Sequence, residues 1–257
     1  MAAAAARLNC PLAAVGAVRI VETGGVSGYL ADGSGRPRVL CEAKLFGDDT
    51  LHVYDASHPL ISIGINNWKL YRGGAAEYGR LEEMAALDRL AALRSTSWGM
   101  FQILGRNAFA AGFHGSGGHA GDVEAFVAAM AASEGAQLAA FVSFVEANGL
   151  AAPLRNQDWT AFARGYNGPL YGVNNYDGRL AAAFHLQSNP QPSMLRIGCT
   201  GGAVPVLQSA LGTHGYPVLV DGAFGRVTEI ALRQFQSMNG LRPDGVAGPD
   251  VFKALGL

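Results

Sequence analysis

Charge is scarce in this sequence, and what there is cancels. Lys and Arg number 19 against 20 Asp and Glu, and charged residues are only 15% of the chain. Residues 1–194 carry 14 cations against 16 anions, and residues 195–257 carry 5 against 4. Counterion-release binding needs a basic patch, so neither nucleic acid nor an anionic lipid surface is expected as a partner. No run approaches 18 apolar residues, which excludes a membrane-inserted segment. Cysteine is nearly missing too: Cys10, Cys41 and Cys199 are odd in number, far apart and in no CxxC spacing. That excludes a disulfide framework and a cysteine zinc site. Reduced thiols made in a reducing cytoplasm are expected, two of them buried as small hydrophobes. The 6 histidines show no HExxH spacing, and His114 and His119 fall in a Gly-rich loop expected to be solvated. No metal and no cofactor are expected. Met1 to Ala6 resembles the start of a signal peptide, but Arg7 and Asn9 interrupt its apolar stretch, so it reads as retained.

What is present is apolar and rich in turns. Hydrophobic residues make up 49% of 257, enough for a large core, and the 35 glycines are nearly twice the usual share of about 7%. This length fits one large domain, or a catalytic domain with a small module. The clearest boundary is the stretch LQSNPQPSM at 186–194, read as a linker. Beyond it lies an internal repeat. Leu207-Gln208-Ser209 matches Phe235-Gln236-Ser237, and Asp221-Gly222-x-x-Gly225 matches Asp244-Gly245-x-x-Gly248. Each copy reads as a helix, a loop and a tight Asp-Gly turn at positive φ. Helices are expected over 227–238, with Ile230, Ala231, Gln234 and Phe235 on one face, and over 249–254. Leu207, Leu211, Ile230, Phe235 and Leu241 form the expected core. The pattern D-G-x-F-G-x-x-T, then A-x-x-x-F-Q-x-x-x-G-L and D-G-x-x-G, resembles the three-helix peptidoglycan-binding module of cell-wall hydrolases.

Residues 1–185 read as mostly helical. Pro11 suits a first turn, the apolar stripe Leu12, Val15, Val18 runs on to Glu22, and Gly24-Gly25 stop the helix. The segment 24–65 is turn-rich, with strand-like pieces around Val39. Helices are then expected over 78–93, 123–133, 136–148, 159–165 and 176–186. Asp122, Ser133 and Asp158 supply capping signals for three of them.

Glu22 is the first candidate for chemistry. A carboxylate in the last turn of a helix meets the negative end of the macrodipole, and partial burial also disfavours its charge. Both effects raise its pKa, as a general acid near neutral pH requires. Two further motifs add context. SWGMFQI at 97–103 reads as a hairpin strand carrying Gln102, and equally as a plain core strand. ARGYNGP at 163–169 presents Tyr166 and Asn167 at a helix end, an aromatic face and an amide suited to an N-acetylated sugar; it reads equally as an ordinary Asn-Gly-Pro stop.

In this order, Glu22-Thr23, Gly99-Met100-Phe101-Gln102 and Gly165-Tyr166-Asn167-Gly168 resemble three motifs of the lysozyme superfamily of goose-type lysozymes and lytic transglycosylases. The likeness is closer still to modular phage N-acetylmuramidases, endolysins that pair such a domain with a peptidoglycan-binding module. It extends through VLCEAKLF at 39–46, DWTAFARGYNGP at 158–169 and NNYDGRLAAAF at 174–184. The resemblance implies a mainly α protein: a lysozyme-like α+β catalytic domain with a small β-hairpin region over 1–185, and a three-helix bundle over 195–257. It implies cleavage of the β-1,4 bond between N-acetylmuramic acid and N-acetylglucosamine. Bacterial peptidoglycan is the partner, a monomer is the default, and the route to the wall is holin-type release from the host cytoplasm. Glu22 takes the acid role and Glu42 that of second carboxylate, with Asp32 in reserve. Thr23, Ser97, Gln102, Tyr166 and Asn167 are the implied substrate-binding residues. Two departures stand out. Thr23 replaces the family's serine and keeps a hydroxyl. Cys41-Glu42-Ala43 replaces Phe-Glu-Arg and loses a basic neighbour. A lytic transglycosylase and a non-catalytic wall-binding protein are the rival readings.

Overall fold

The computed structural model describes residues 1–115, 121–188, 194–201 and 203–257. In chain order the elements are α1 (Ala2–Arg7), α2 (Leu12–Thr23), β1 (Val39–Cys41), α3 (Ala43–Asp49), α4 (Ala76–Leu87), α5 (Arg89–Arg94), β2 (Thr96–Trp98), β3 (Ile103–Leu104), α6 (Val123–Ala132) and α7 (Glu134–Ala147). They continue with α8 (Ala151–Asn156), α9 (Trp159–Asn167), α10 (Tyr176–Ser188), α11 (Val204–Thr213), α12 (Arg226–Met238) and α13 (Pro249–Ala254). Among the described residues the fold is mainly helical with one small sheet, in the order β1-β2-β3. Two compact units form. The first joins Met1–Val26 to Gly149–Leu257, and the second is Ser27–Asn148.

In the first unit α2 is the hub, because its sequence leaves no polar face. Ala14, Val15, Gly16, Ala17, Val18, Ile20, Val21 and Thr23 are all buried, as befits a helix that is apolar nearly all round. Leu12, expected on its apolar stripe, is instead 53% exposed at the first turn. α10 packs along α2 with α9 beside it. Gly24 ends α2 at φ +64° and donates its N–H to Ile20 O at 2.8 Å, and Gly25 follows at φ +78°. The capping residues behave as expected: Asp122, Ser133 and Asp158 each accept the N–H three residues on, at 2.9–3.1 Å. One expected helix is two. Asp88 leaves helical geometry and caps α5 by accepting from Ala91 N at 2.9 Å, so 78–93 breaks there.

The second unit holds the sheet, antiparallel throughout, with Leu40 opposite Ser97 and Ser97 opposite Leu104. SWGMFQI is therefore a strand and a turn. β2 ends at Trp98, Gly99 (φ +72°) and Gln102 (φ +46°) reverse the chain, and β3 returns. Buried Gln137 anchors the turn, accepting from Met100 N at 2.7 Å while donating to Met130 O at 2.8 Å. Phe101 stacks on Phe141 with centroids 4.1 Å apart.

The sequence repeat of 195–257 is a repeat of hydrogen bonds. Gln208 Nε2 donates to Asp221 Oδ1 (2.8 Å) and Ala223 O (3.0 Å), while its Oε1 accepts from Gly222 N (2.9 Å). Gln236 does the same with Asp244 Oδ1 (2.9 Å), Val246 O (3.0 Å) and Gly245 N (2.9 Å). Gly222 and Gly245 both sit at φ +73°. Each buried amide thus clamps an Asp-Gly turn, with its polar atoms satisfied. Leu207, Leu211 and Phe235 are in the core as expected, and Leu241 packs at its edge. Ile230 is 46% exposed, and Leu232 fills the core instead. The buried stripe of α12 is Thr228, Ala231, Leu232 and Phe235, turned by one position from the one expected. Only Cys41 of the three free thiols is fully buried, not two. α10 runs to Ser188, two residues past its expected end; residues 189–193 lie outside the described residues, as does His119, while His114 is exposed.

Replacing Gln236 by leucine leaves the Gly245 N–H and the Val246 carbonyl unpaired. The expected cost is about 2–3 kcal/mol in urea denaturation of the full chain; a loss under about 0.5 kcal/mol would refute the clamp.

Candidate active site

Glu22 occupies the last turn of α2 and is partly buried. Its Oε1 accepts from the phenolic hydroxyl of Tyr176, at the start of α10. Tyr176 stacks with Tyr166 (centroids 6.5 Å), and Tyr166 with buried Phe162 (5.2 Å), so an aromatic column rises beside the carboxyl. Burial pushes the Glu22 pKa up to about 7, against the opposing pull of the Tyr176 hydrogen bond and the Arg179 guanidinium. Tyr166 and Tyr176 are held well above the usual phenol range, first by burial and then by the neighbouring Glu22 charge. Arg179 donates from Nη2 to Val21 O at 2.9 Å, at the same helix end. The result is a carboxyl that is protonated in part of the population at neutral pH.

The first unit therefore brings together Glu22, Tyr166 and Asn167 of the expected residues. Asn167 is exposed at the end of α9, and Gly168 (φ +82°) turns the chain away. Thr23 is different. Its side chain is buried, and its hydroxyl lies 3.0 Å from Arg19 O and 3.4 Å from Val26 O. It fastens the helix end to its own backbone, next to Glu22. The reading of Glu22 from its helix end missed Tyr176 and Arg179. Their signal was the spacing in NNYDGRLAAAF, which sets both on one face of a helix.

The second unit builds a carboxylate site of its own. Glu42 follows β1 at the N-cap of α3, yet its side chain makes no cap bond; it accepts from the Tyr71 hydroxyl at 2.6 Å. Burial raises its pKa, opposed by Tyr71 and by the positive Arg80. Arg80 thus supplies from α4 the cation that the adjacent Ala43 does not. Beneath lies Glu77, 0% exposed, which accepts from Cys41 N (3.0 Å), Arg72 N (2.6 Å), Gly73 N (3.2 Å) and Arg80 Nη1 (2.9 Å). Because Glu77 ties the residue before Glu42 to the residue after Tyr71, it sets that pair in register. Sequence reading missed Glu77, Arg80 and Tyr71; an acid and a base three apart on a helix look like an ordinary solvated pair.

The other expected residues of this unit are placed less openly. Gln102 is partly buried, and its Nε2 donates to Gly99 O at 2.8 Å, bracing the turn that carries it. Ser97 lies in the middle strand of the sheet and is 7% exposed, so little of it faces solvent. Asp32 is exposed, pairs with Arg36 at 3.3 Å and accepts from Ser34 N; the Ser34 bonds hold its pKa below the usual range. It suits a fixed turn better than proton transfer. Among the described residues no cluster of His, Cys, Asp and Glu could hold a metal ion, and no helix is long and apolar enough to cross a membrane.

The Glu22 shift has a consequence for stability. A carboxyl whose folded pKa is about 7 against an ordinary 4.5 binds its proton more tightly when folded, so the folded state is favoured most below 4.5 and loses that contribution as pH rises through 7. Glu22→Gln is therefore expected to be more stable than the parent at pH 8, by up to about 3 kcal/mol, with the gap closed at pH 4. Urea denaturation at the two pH values measures it; an equal gap at both would contradict the shift.

Comparison with known proteins identifies the family. The N-acetylmuramidase family model matches residues 11–187, and a peptidoglycan-binding domain model matches residues 200–255. The crystal structure of the Burkholderia AP3 phage endolysin is similar, with a TM-score of 0.60 and 41% identity over 72% of this chain and 68% of that one. A zinc D-Ala-D-Ala carboxypeptidase of Streptomyces albus G is 32% identical over 125 residues, 47% of this chain; the match spans only 41% of that protein. On the extent of the first match, the chain belongs to the N-acetylmuramidase family of peptidoglycan hydrolases and carries a peptidoglycan-binding domain at its C-terminal end.

Proposed function

We propose that this protein hydrolyses the β-1,4 bond between N-acetylmuramic acid and N-acetylglucosamine in bacterial peptidoglycan, with Glu22 as the general acid. One observation carries the reading: a carboxyl in the last turn of a buried helix, hydrogen-bonded to Tyr176 and with a pKa raised to about 7. Such a group gives its proton to the glycosidic oxygen as the bond breaks and is ready to do so at neutral pH. Glu42 is the second carboxylate, supporting the developing positive charge at the sugar or activating the attacking water. The Tyr71 hydroxyl orients it. Tyr166 and Asn167 offer a sugar-ring face and an amide for an N-acetyl group, and the exposed end of α9 suits that task. The resemblance also makes Gln102 a candidate substrate-binding residue.

The likeness to a phage endolysin supports action on the bacterial cell wall; synthesis in the host, holin-type release and lysis belong to the proposed reading. The matched C-terminal domain would hold the enzyme on peptidoglycan, since a net charge of -1 gives little electrostatic attraction to an anionic surface.

Glu22→Gln is expected to lower the rate of peptidoglycan solubilisation at least a hundredfold while sacculus binding persists; unchanged solubilisation would remove Glu22 from the acid role. Because the acid must be protonated, the rate is expected to fall as pH rises through about 7. Mass spectrometry of the fragments, with and without borohydride, identifies the bond. Reducible N-acetylmuramic acid ends are expected. Anhydromuramic ends would make the protein a lytic transglycosylase, and no fragments would make it a binding protein only. Glu42→Gln is expected to cost roughly tenfold or more in rate with binding kept.

A further inference from the structure

The peptidoglycan-binding domain touches the helix that carries the proposed acid. α11 packs on α2 and α10 within the first unit. At the exit of α2 the approach is so close that side chains would not fit. A Cβ on Gly24 would lie 2.7 Å from Thr213 Oγ1, and one on Gly25 would lie 2.7 Å from Gly256 O. Gly24-Gly25 therefore serve two purposes: they turn the chain at positive φ, and they admit α11 and the C-terminal residues. One turn before Thr213, Ser209 Oγ accepts from Arg179 Nη2 at 3.0 Å. The same nitrogen donates to Val21 O, the carbonyl just before Glu22.

A mostly buried guanidinium goes where its acceptors are, because each unpaired N–H costs desolvation energy. Here one acceptor belongs to the end of the Glu22 helix and the other to the wall-binding domain. Arg179 in turn follows Tyr176 by three residues on α10, and Tyr176 donates to Glu22. The ionisable groups acting on Glu22 are Tyr176 and Arg179 from α10, with Tyr166 of α9 beside them; α11 contributes the neutral Ser209.

We propose that Ser209, in the peptidoglycan-binding domain, is a positioning residue for the cleavage reaction: it holds Arg179 against the end of α2 and so fixes the orientation and the charge environment of Glu22. The domain then acts on the chemistry as well as on attachment. This rests on the reading of Glu22 as general acid.

The test uses full-length Ser209→Ala and Ser209→Thr on soluble, peptide-free glycan strands, where attachment to sacculi does not enter. Ser209→Ala is expected to lower kcat roughly fivefold with KM unchanged, the size of loss that a slightly displaced acid gives. With Arg179 less firmly held, its lowering influence on Glu22 weakens, so the basic limb of the pH profile is expected to move up. Ser209→Thr, which keeps the acceptor, restores both, and binding to sacculi is the same in all three proteins. A wild-type kcat and an unmoved limb in Ser209→Ala would overturn the proposal, as would a rate loss that leaves the limb in place and is not rescued by threonine. Glu22→Gln, run in parallel, separates the two levels. If it stays active, the acid assignment falls; if it is inactive while Ser209→Ala matches the parent, only the role of Ser209 falls.

Discussion

A carboxyl group at the exit of a buried helix is the constraint around which the first unit is organised. α2 is apolar nearly all round, Arg19 and Glu22 apart, so it sits among other helices, and its last turn is partly withdrawn from water. Water would stabilise a charged Glu22, and here little of it is available. In its place stand one phenol hydroxyl and one guanidinium, each supplied by α10. The glycine pair that follows is what lets other backbone come close without trapping the carboxyl under side chains. Fold and chemistry are thus set by the same residues: changing the helix end would change both.

The two proposed carboxylates share a physical plan although they are built from different elements. Each is pushed toward its neutral form by burial, and each accepts from one tyrosine hydroxyl that favours the charged form. They differ in what lies behind them. Glu22 rests on a helix end and an aromatic column, whereas Glu42 rests on the saturated hydrogen-bond shell of Glu77. A buried ion pair such as Glu77–Arg80 adds little net stability, but it has few ways to rearrange. Its contribution here is register, holding Cys41 and Arg72 together.

Much of this was legible in the sequence where a signal was local. The glycine stop after Thr23, the Asp and Ser caps and the paired Asp-Gly turns each depend on a few neighbouring residues, and each appears in the fold. Motif likeness likewise pointed to Glu22, Glu42 and Tyr166. Most of what the sequence hid depends on distant partners. Asp88 interrupts a helix that periodicity alone would run straight through, because an N-cap competes locally with the helical path. Thr23 and Ser97 carry hydroxyls that suit a ligand, and only the fold shows how little of either side chain reaches solvent. Ile230 and Leu232 differ by two positions on an amphipathic helix, and the choice between them is made by what packs against it. Tyr176, Arg179 and Glu77 gain their roles wholly from residues far away in sequence.

The doubled glutamine clamp of the C-terminal domain bears on how that domain can change. Gln208 reaches an Asp thirteen residues on, and Gln236 reaches one eight residues on, yet the two turns are closed by the same set of bonds. The clamp fastens the end of each loop and is indifferent to its middle. Lengthening a loop costs little entropy, about 0.6 kcal/mol per doubling, once its ends are secured. The segments before Asp221 and Asp244 are therefore places where insertions and new side chains can accumulate without unfolding the bundle, and a domain of this design can drift toward a different wall chemistry while its three helices stay as they are.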